Sequence, residues 1–195
     1  MHKINTLKKT GLLLCFISIF TLINSQESPL GLVTGEWKFA VGSELTFEIG
    51  NLFLFSVEGA MPVKEGIYRN KEELKVDVTI NAAKLNTGNK KRDEHLNTED
   101  FFYTEKYPNI YYESDRIRKN RLKNEYEYVS IGKLTIRGIK KEEKVFFNIE
   151  KINNNAVIIN GKAEINRFDY DLDHKMAGMD DIATISFDIA ATPAE

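Results

Sequence analysis

The sequence predicts an all-β fold, a single antiparallel sandwich or barrel with one short helical insertion. Three observations carry this. Apolar and polar residues alternate with period two in segment after segment, as in strands with one face to an interior and one to water. Turn-forming residues separate those segments at short intervals. Only one stretch has helical character, so the βαβ rhythm of a parallel sheet is missing. A length of 195 residues suits one domain with an N-terminal appendage.

The appendage comes first. Lys3, Lys8 and Lys9 precede an apolar run from Gly11 to Ile23, and the small polar Asn24 and Ser25 follow. A basic head, ~7–15 apolar residues and a small exit residue describe a secretory signal peptide, here residues 1–25. The run is shorter than the ~20 residues that cross a bilayer. Cys15 reads as part of the apolar run, because Leu14 precedes it where lipidation motifs carry small residues. Cleavage after Ser25 is expected to move the net charge from -2 to -5 and to leave a thiol-free, exported chain.

Residues 26–35 form a Ser/Pro/Gly lead-in, and 36–195 the domain. Trp37 to Val41 is the first strand. Leu45, Phe47 and Ile49 then alternate with Thr46 and Glu48, and Leu52 to Glu58 follows. Leu74, Val76, Val78 and Ile80 alternate with Lys75, Asp77 and Thr79. Further strands are Asn109 to Asp115, Glu125 to Arg137, Lys144 to Lys151 and Ala156 to Phe168. In the last, Ile185, Phe187 and Ile189 alternate with Thr184, Ser186 and Asp188. Gly138 to Glu142 and Asn153-Asn154-Asn155 supply hairpin turns, Asn tolerating positive φ. Arg116, Arg118, Lys119, Arg121 and Lys123 read as one solvated turn that discourages edge pairing. The helical insertion lies between Asn89 and Thr104. Thr98 is placed to cap a turn beginning Glu99-Asp100-Phe101-Phe102, and Tyr107-Pro108 stops it.

Charge and composition exclude several classes. A net charge of -2 gives no concentrated positive field for nucleic acid. One cysteine excludes a disulfide framework and a Cys-rich zinc module. Neither a GxSxG elbow nor an HExxH helix occurs. Asp93, Glu94 and His95 adjoin in sequence, but neighbours on a helix do not share a face, so they make a poor metal site. His174 lies among Asp169, Asp171, Asp173, Asp180 and Asp181. That run lacks the spacing and turn glycine of a calcium loop and reads as a solvated acidic loop. No catalytic residue, metal or cofactor is expected. Phe47, Phe53, Phe55, Phe101, Phe102, Tyr112, Phe147 and Phe168 suit either a filled core or the ligand cavity of an eight-stranded barrel.

Several blocks carry a resemblance. Val78-Thr79-Ile80-Asn81, Asn86-Thr87, Arg92-Asp93-Glu94-His95-Leu96, Glu99-Asp100-Phe101-Phe102 and Lys106-Tyr107-Pro108 come first. Gly132-Lys133-Leu134-Thr135-Ile136-Arg137-Gly138-Ile139 and Arg167-Phe168-Asp169-Tyr170 follow. In this order, from about Trp37 to Ala191, the set resembles the YceI-like family. Ala40, where the family commonly has Asp, and Gly50-Asn51, where it often has His, are departures that touch polar contacts at that end. The resemblance implies an elongated, lipocalin-like antiparallel barrel of about eight strands with a helical segment. It also implies export to the bacterial periplasm and binding of polyisoprenoid chains, isoprenoid quinones or related amphiphiles in the apolar interior.

Inward strand parity and the apolar insertion then give the candidate lining: Phe47, Phe53, Phe55, Val78, Ile80, Leu96, Phe101, Phe102, Tyr112, Leu134, Phe147, Ile165 and Phe168. The helical segment is the natural lid, with His95 as candidate partner of a polar head group. Arg92 and Asp93 are expected to make helix-end and loop hydrogen bonds. Burying roughly ten carbons at ~0.8 kcal/mol each contributes on the order of 8 kcal/mol, about micromolar binding before association entropy is subtracted. The expected partner is an isoprenoid lipid or other amphiphile, with transient contact to a membrane or membrane protein and none to nucleic acid. The competing reading is a ligand-free scaffold of the cell envelope. An apolar void of ~300 Å³ favours carriage over a packed scaffold.

Overall fold

Alternating side chains build nine antiparallel strands in the computed structural model, which describes residues 32–51, 55–71, 73–172 and 178–194. Residues 1–25 and 26–31, Phe53, the Phe55 side chain, Asp173 and His174 lie outside the described residues. The strands are β1 (Gly35–Phe39), β2 (Glu44–Asn51), β3 (Phe55–Asn70), β4 (Leu74–Asn81), β5 (Asn109–Lys119), β6 (Tyr128–Ile136), β7 (Ile139–Asn153), β8 (Ala156–Asn166) and β9 (Met179–Pro193).

These strands form a closed barrel. Each of β3 to β9 pairs with its sequence neighbours, and β9 returns to β1 and β2. β1 and β2 share one position. Trp37 pairs with Tyr68 and Leu45 with Met61 along the same strand β3, and both segments also pair with β9. The interruption between them holds Gly42 at φ 86°, a left-handed conformation that a side chain disfavours. Nine strands thus fill eight places, and closure leaves no free sheet edge along most of the wall. Beyond the β4–β5 ladder, which runs from Asp77↔Glu113 to Asn81↔Asn109, the Ser114 hydroxyl replaces a carbonyl and accepts from the Val76 N–H at 2.7 Å.

Several boundaries differ from the sequence expectation, each for a local reason. Of the strand expected over Leu52 to Glu58, the described part from Phe55 opens β3, and Phe55 pairs back with Asn51 of β2. β3 then runs on to Asn70 through Gly59, Pro62 and Gly66, residues that read as breakers. Pro62 is tolerated because its neighbour Val63 turns its N–H toward β2, donating to Ser43 O at 2.8 Å. The proline nitrogen therefore faces the side where β4 ends at Asn81. The turn expected over Gly138 to Glu142 is only Arg137-Gly138, both at positive φ (52° and 78°), the pattern of a tight hairpin turn; Ile139 already pairs with Ile136. β5 continues through Arg116, Arg118 and Lys119, so only Arg121 and Lys123 of that cluster lie in the turn.

Within the expected helical segment only α1 (Lys90–Leu96) is α-helical, and the Asn89 side chain caps it by accepting from Arg92 N. Thr98 does not cap the following turn. Its hydroxyl donates back to His95 O at 2.7 Å, and residues 98–107 are successive turns. β8 ends at Asn166, and residues 167–170 wind into a 3-10 turn in which Phe168 N donates to the Asn166 side chain.

The interior holds two apolar clusters, one toward each end. Met61, Ile80, Leu85, Ile110, Leu134, Ile165, Tyr170 and Leu172 meet at the end that carries α1. Trp37, Tyr68, Tyr128, Phe147, Val157 and Ala191 pack the opposite end, with Leu32 against them.

Candidate functional site

A cavity of about 190 Å³ runs between the two clusters. Its wall takes alternate residues from successive strands: Phe39, Leu45 and Phe47; Met61 and Tyr68; Val76, Val78 and Ile80; Ile110 and Tyr112; Leu134 and Ile136; Val145 and Phe147; Ile159, Ala163 and Ile165; Ile185, Phe187 and Ile189. The wall is almost wholly carbon. An apolar cavity of about 150 Å³ holds one benzene ring, so this one has room for roughly seven or eight carbons, between one and two isoprene units. It falls short of the ~300 Å³ expected above of a carrier, yet it is an apolar void and not a filled interior.

Glycines give the cavity its bore. A Cβ on Gly59 would collide with the Phe47 ring, one on Gly66 with the Phe39 ring, and one on Gly161 with the Phe187 ring. Each ring therefore occupies the space over a neighbouring strand where a side chain is missing. This is the packing of an aromatic over a cross-strand glycine. Gly161 is further constrained by the backbone oxygen of Phe146.

Polar groups interrupt the apolar wall at two levels. In the middle, the Tyr112 and Ser130 hydroxyls share a hydrogen bond of 2.6 Å. Both residues are buried, and burial pushes the Tyr112 phenol up to about 12. Ser130→Ala is expected to destabilise the fold by about 1–3 kcal/mol, because it leaves the Tyr112 hydroxyl buried without a partner. Tyr112→Phe combined with Ser130→Ala is expected to recover most of that loss; thermal melts of the four proteins in this cycle give the coupling.

At the α1 end, Glu143 and Arg167 reach the wall. Glu143 accepts from the Tyr170 hydroxyl at 2.9 Å, and Tyr170 is fully buried. Burial raises the Glu143 carboxyl above its ordinary value; the Tyr170 bond opposes that rise and the Asp169 charge adds to it. The folded protein therefore holds this proton more tightly than the unfolded chain. Stability falls as pH rises from the ordinary carboxylate range through Glu143's raised value. Glu143→Gln is expected to raise stability at pH 8, by no more than about 1 kcal/mol since the group is partly solvated, and to leave stability at pH 4 unchanged. Melts at both pH values check this.

The structure places eight of the residues singled out from sequence on this wall: Phe47, Val78, Ile80, Phe102, Tyr112, Leu134, Phe147 and Ile165. Phe102 arrives from the turns after α1, so that segment sits over the cavity's end. Leu96 packs against the neighbouring core without reaching the wall. Phe101 is buried instead under His95, with edge-to-face rings 5.0 Å apart. His95 is not on the wall, and its Nε2 lies 3.5 Å from Asp100. Phe168 is 45% exposed: it stands three residues after Ile165, on the outward parity of β8, so the two could not both face inward. Arg92 and Asp93 tie down the loop before α1: Arg92 donates to Thr87 Oγ1 and to the Thr87 carbonyl, and Asp93 accepts from the Thr87 N–H.

Sequence reasoning missed Phe39, Tyr68, Glu143 and Arg167. Phe39 and Arg167 stand at strand ends, Tyr68 in the half of β3 masked by glycines, and Glu143 in what reads as a turn. Leu45, Ile185, Phe187 and Ile189 had the signal, since they belong to alternations already visible.

Among the described residues no group of His, Cys, Asp and Glu is placed to hold a metal ion. Residues 37–191 match the YceI-like domain. The UPF0312 protein SA2479 of Staphylococcus aureus is 30% identical over 147 residues, which is 69% of this chain and 80% of that protein. The UPF0312 protein plu2095 of Photorhabdus laumondii is 42% identical over 73 residues, 37% of this chain and 36% of its own. Among solved structures, a polyisoprenoid binding domain from Saccharophagus degradans superposes with a TM-score of 0.66 at 12% identity, over 81% of this chain and 98% of that one. Burkholderia cenocepacia BcnA does so with 0.63 at 21% identity, over 77% and 96%. At these identities the likeness establishes the shared barrel fold.

Proposed function

The chain belongs to the YceI-like domain family, and from that premise we propose that it binds and carries a polyisoprenoid-type lipid or isoprenoid quinone inside its barrel, without catalysis. The observation that carries the reading is the slim, carbon-lined cavity between the two core clusters, with room for between one and two isoprene units. The polyisoprenoid binding named for the Saccharophagus degradans neighbour supports the choice of ligand class. Burying about eight chain carbons contributes on the order of 6 kcal/mol before association entropy, a gross gain that needs no directional contacts. The basic and then apolar N-terminal sequence supports placing this binding outside the cytoplasm, in the periplasm or beyond.

The test is native mass spectrometry of the protein purified from a bacterial envelope, followed by organic extraction and by titration of the delipidated protein with farnesol. A stoichiometric prenyl lipid or quinone, or saturable uptake of farnesol, is the expected result. A protein that is empty and takes up none overturns the reading and leaves an envelope scaffold as the better account.

A further inference from the structure

The outside of the barrel carries a second apolar surface. Ser130, Val145, Ala163 and Ile185 form one cross-strand row and line the cavity, so the residues beside them in each strand point outward. Val129 and Ile131 are such residues, yet both are almost fully buried, and neither belongs to the two interior clusters. An outward side chain is buried only where its neighbours roof it. Across the ladders those neighbours are Arg116 and Lys144 at Ile131, and Arg118 and Phe146 at Val129. Long basic side chains lay their methylenes over apolar surface and keep the charge in water. The β5–β6 loop continues the pattern: Lys119, Arg121 and Lys123 are exposed, and Leu122 stands 63% exposed between the last two. Glu127 N donates to Asn148 Oδ1 at 2.8 Å and Asn148 Nδ2 to Glu125 O at 3.2 Å. These bonds tie the loop to β7 just before Ile152, itself 49% exposed at the tip of the next hairpin.

Among the described residues none of Arg116, Arg118, Lys119, Arg121, Lys123 and Lys144 enters an ion pair. Nearby Asp115 is taken by Lys133 at 3.7 Å and Glu164 by Lys162 at 3.0 Å; Glu125 and Glu127 are the acids of the hairpin itself. A net charge of -2 over the whole chain hides this positive corner. Protecting the edge of β5 beyond the β4–β5 ladder accounts for charges on β5. It does not account for Lys144, on a strand paired on both sides, or for two apolar tips left in water. We propose that this corner docks the barrel on a bilayer surface bearing anionic phospholipids. The cations meet phosphate oxygens at headgroup level, while Leu122 and Ile152 dip into the acyl boundary. Apolar residues set between cations suit a surface that is charged outside and apolar just beneath, and the convex wall with its two projecting tips meets a broad plane. An acidic protein surface would answer the charges and leave the tips without a role. The docking is independent of what fills the cavity.

Cosedimentation of the protein purified from a bacterial envelope tests this, with vesicles of phosphatidylcholine alone against phosphatidylcholine containing about one-third phosphatidylglycerol. Affinity for the anionic vesicles is expected to be at least about tenfold higher, and the margin to shrink as salt shortens the Debye length. Each cation near such a surface contributes about fivefold, so Arg118→Glu with Arg121→Glu is expected to erase the margin. Lys84→Glu with Lys91→Glu makes the same change of charge at exposed positions of the α1 end and is expected to keep it. Leu122→Ser with Ile152→Ser is expected to lower affinity for the anionic vesicles about tenfold. Farnesol uptake, expected to be the same in all these variants, reports that the barrel is intact, and the wild-type comparison stands even where a variant does not fold. Equal affinity for both vesicles, a margin that survives Arg118→Glu with Arg121→Glu, or tip variants that bind like the wild type overturns the inference. So does loss of the margin in both charge-reversed pairs alike, which would trace it to net charge. Retention on immobilised polyglutamate without a vesicle margin overturns it in favour of an acidic protein. None of these outcomes bears on the lipid reading of the cavity, which farnesol uptake tests by itself.

Discussion

Ala163→Phe is expected to weaken prenyl binding by about 200-fold while the barrel stays folded. Ala163 sits on β8 between Val145 and Ile185 in register, buried, with its methyl on the cavity wall. A phenyl group in its place fills a large share of the lumen and excludes roughly four chain carbons, each worth ~0.8 kcal/mol. The sum, about 3 kcal/mol, is a little over two powers of ten in affinity. The inserted ring enters space that is already empty, so overpacking strain is small and Tm is expected to hold or rise. Titration with farnesol, alongside far-UV circular dichroism and a thermal melt, reads both effects. Unchanged affinity would place the ligand somewhere other than the lumen.

Tyr68→Ala is expected to destabilise the protein by about 3–5 kcal/mol, the range for removing a large buried aromatic, and to lower Tm by roughly 10 °C. Tyr68 is fully buried at the packed end, pairs with Trp37 across the β1–β3 ladder and donates its hydroxyl to Val33 O at 2.9 Å. That bond also anchors the chain entering the barrel, where Asn70 donates to the same carbonyl at 3.0 Å. Tyr68→Phe keeps the ring and loses the bond, so about 1 kcal/mol is expected. Because the ring also forms the cavity's floor, Tyr68→Ala deepens the lumen. Chains longer than the wild-type cavity holds are therefore expected to raise its Tm more than they raise the wild type's, through mass action on the folded state. Urea or thermal unfolding with and without ligand measures both terms.

The fold was legible where side chains alternate without interruption. Leu74 to Ile80 and Ile185 to Ile189 read as half-buried strands and are so, because an uninterrupted period of two leaves only the choice of face. β3 was only half legible, since Gly59, Pro62 and Gly66 argue for turns when taken alone. They hold a strand because neighbours occupy the space and spare the hydrogen bond that these residues give up. Closure of the ring rests on β9 pairing with β1 and β2, across most of the chain's length, and no local pattern encodes it. At the cavity, parity placed Val78, Ile80, Tyr112, Leu134 and Ile165; Phe168 was expected inward against it, being three residues after Ile165, and it faces out. His95 drew notice as a rare titratable group, yet Arg167, one of many basic residues in the sequence, is the one that reaches the wall. Composition cannot tell a buried arginine from an exposed one.

Rings laid over glycines have little but backbone behind them. Phe39, Phe47 and Phe187 can each swing inward by side-chain torsion alone, with every rung of the strand ladders left in place. The empty barrel can shrink its own void in this way and keep water from a surface that no guest covers. Under the proposed lipid binding, an entering chain presses the rings back against the wall. Side-chain torsions are far faster than the unzipping of strands. A closed hydrogen-bonded ring built like this can change its calibre without opening, so exchange of such a ligand need not share the barrier of unfolding.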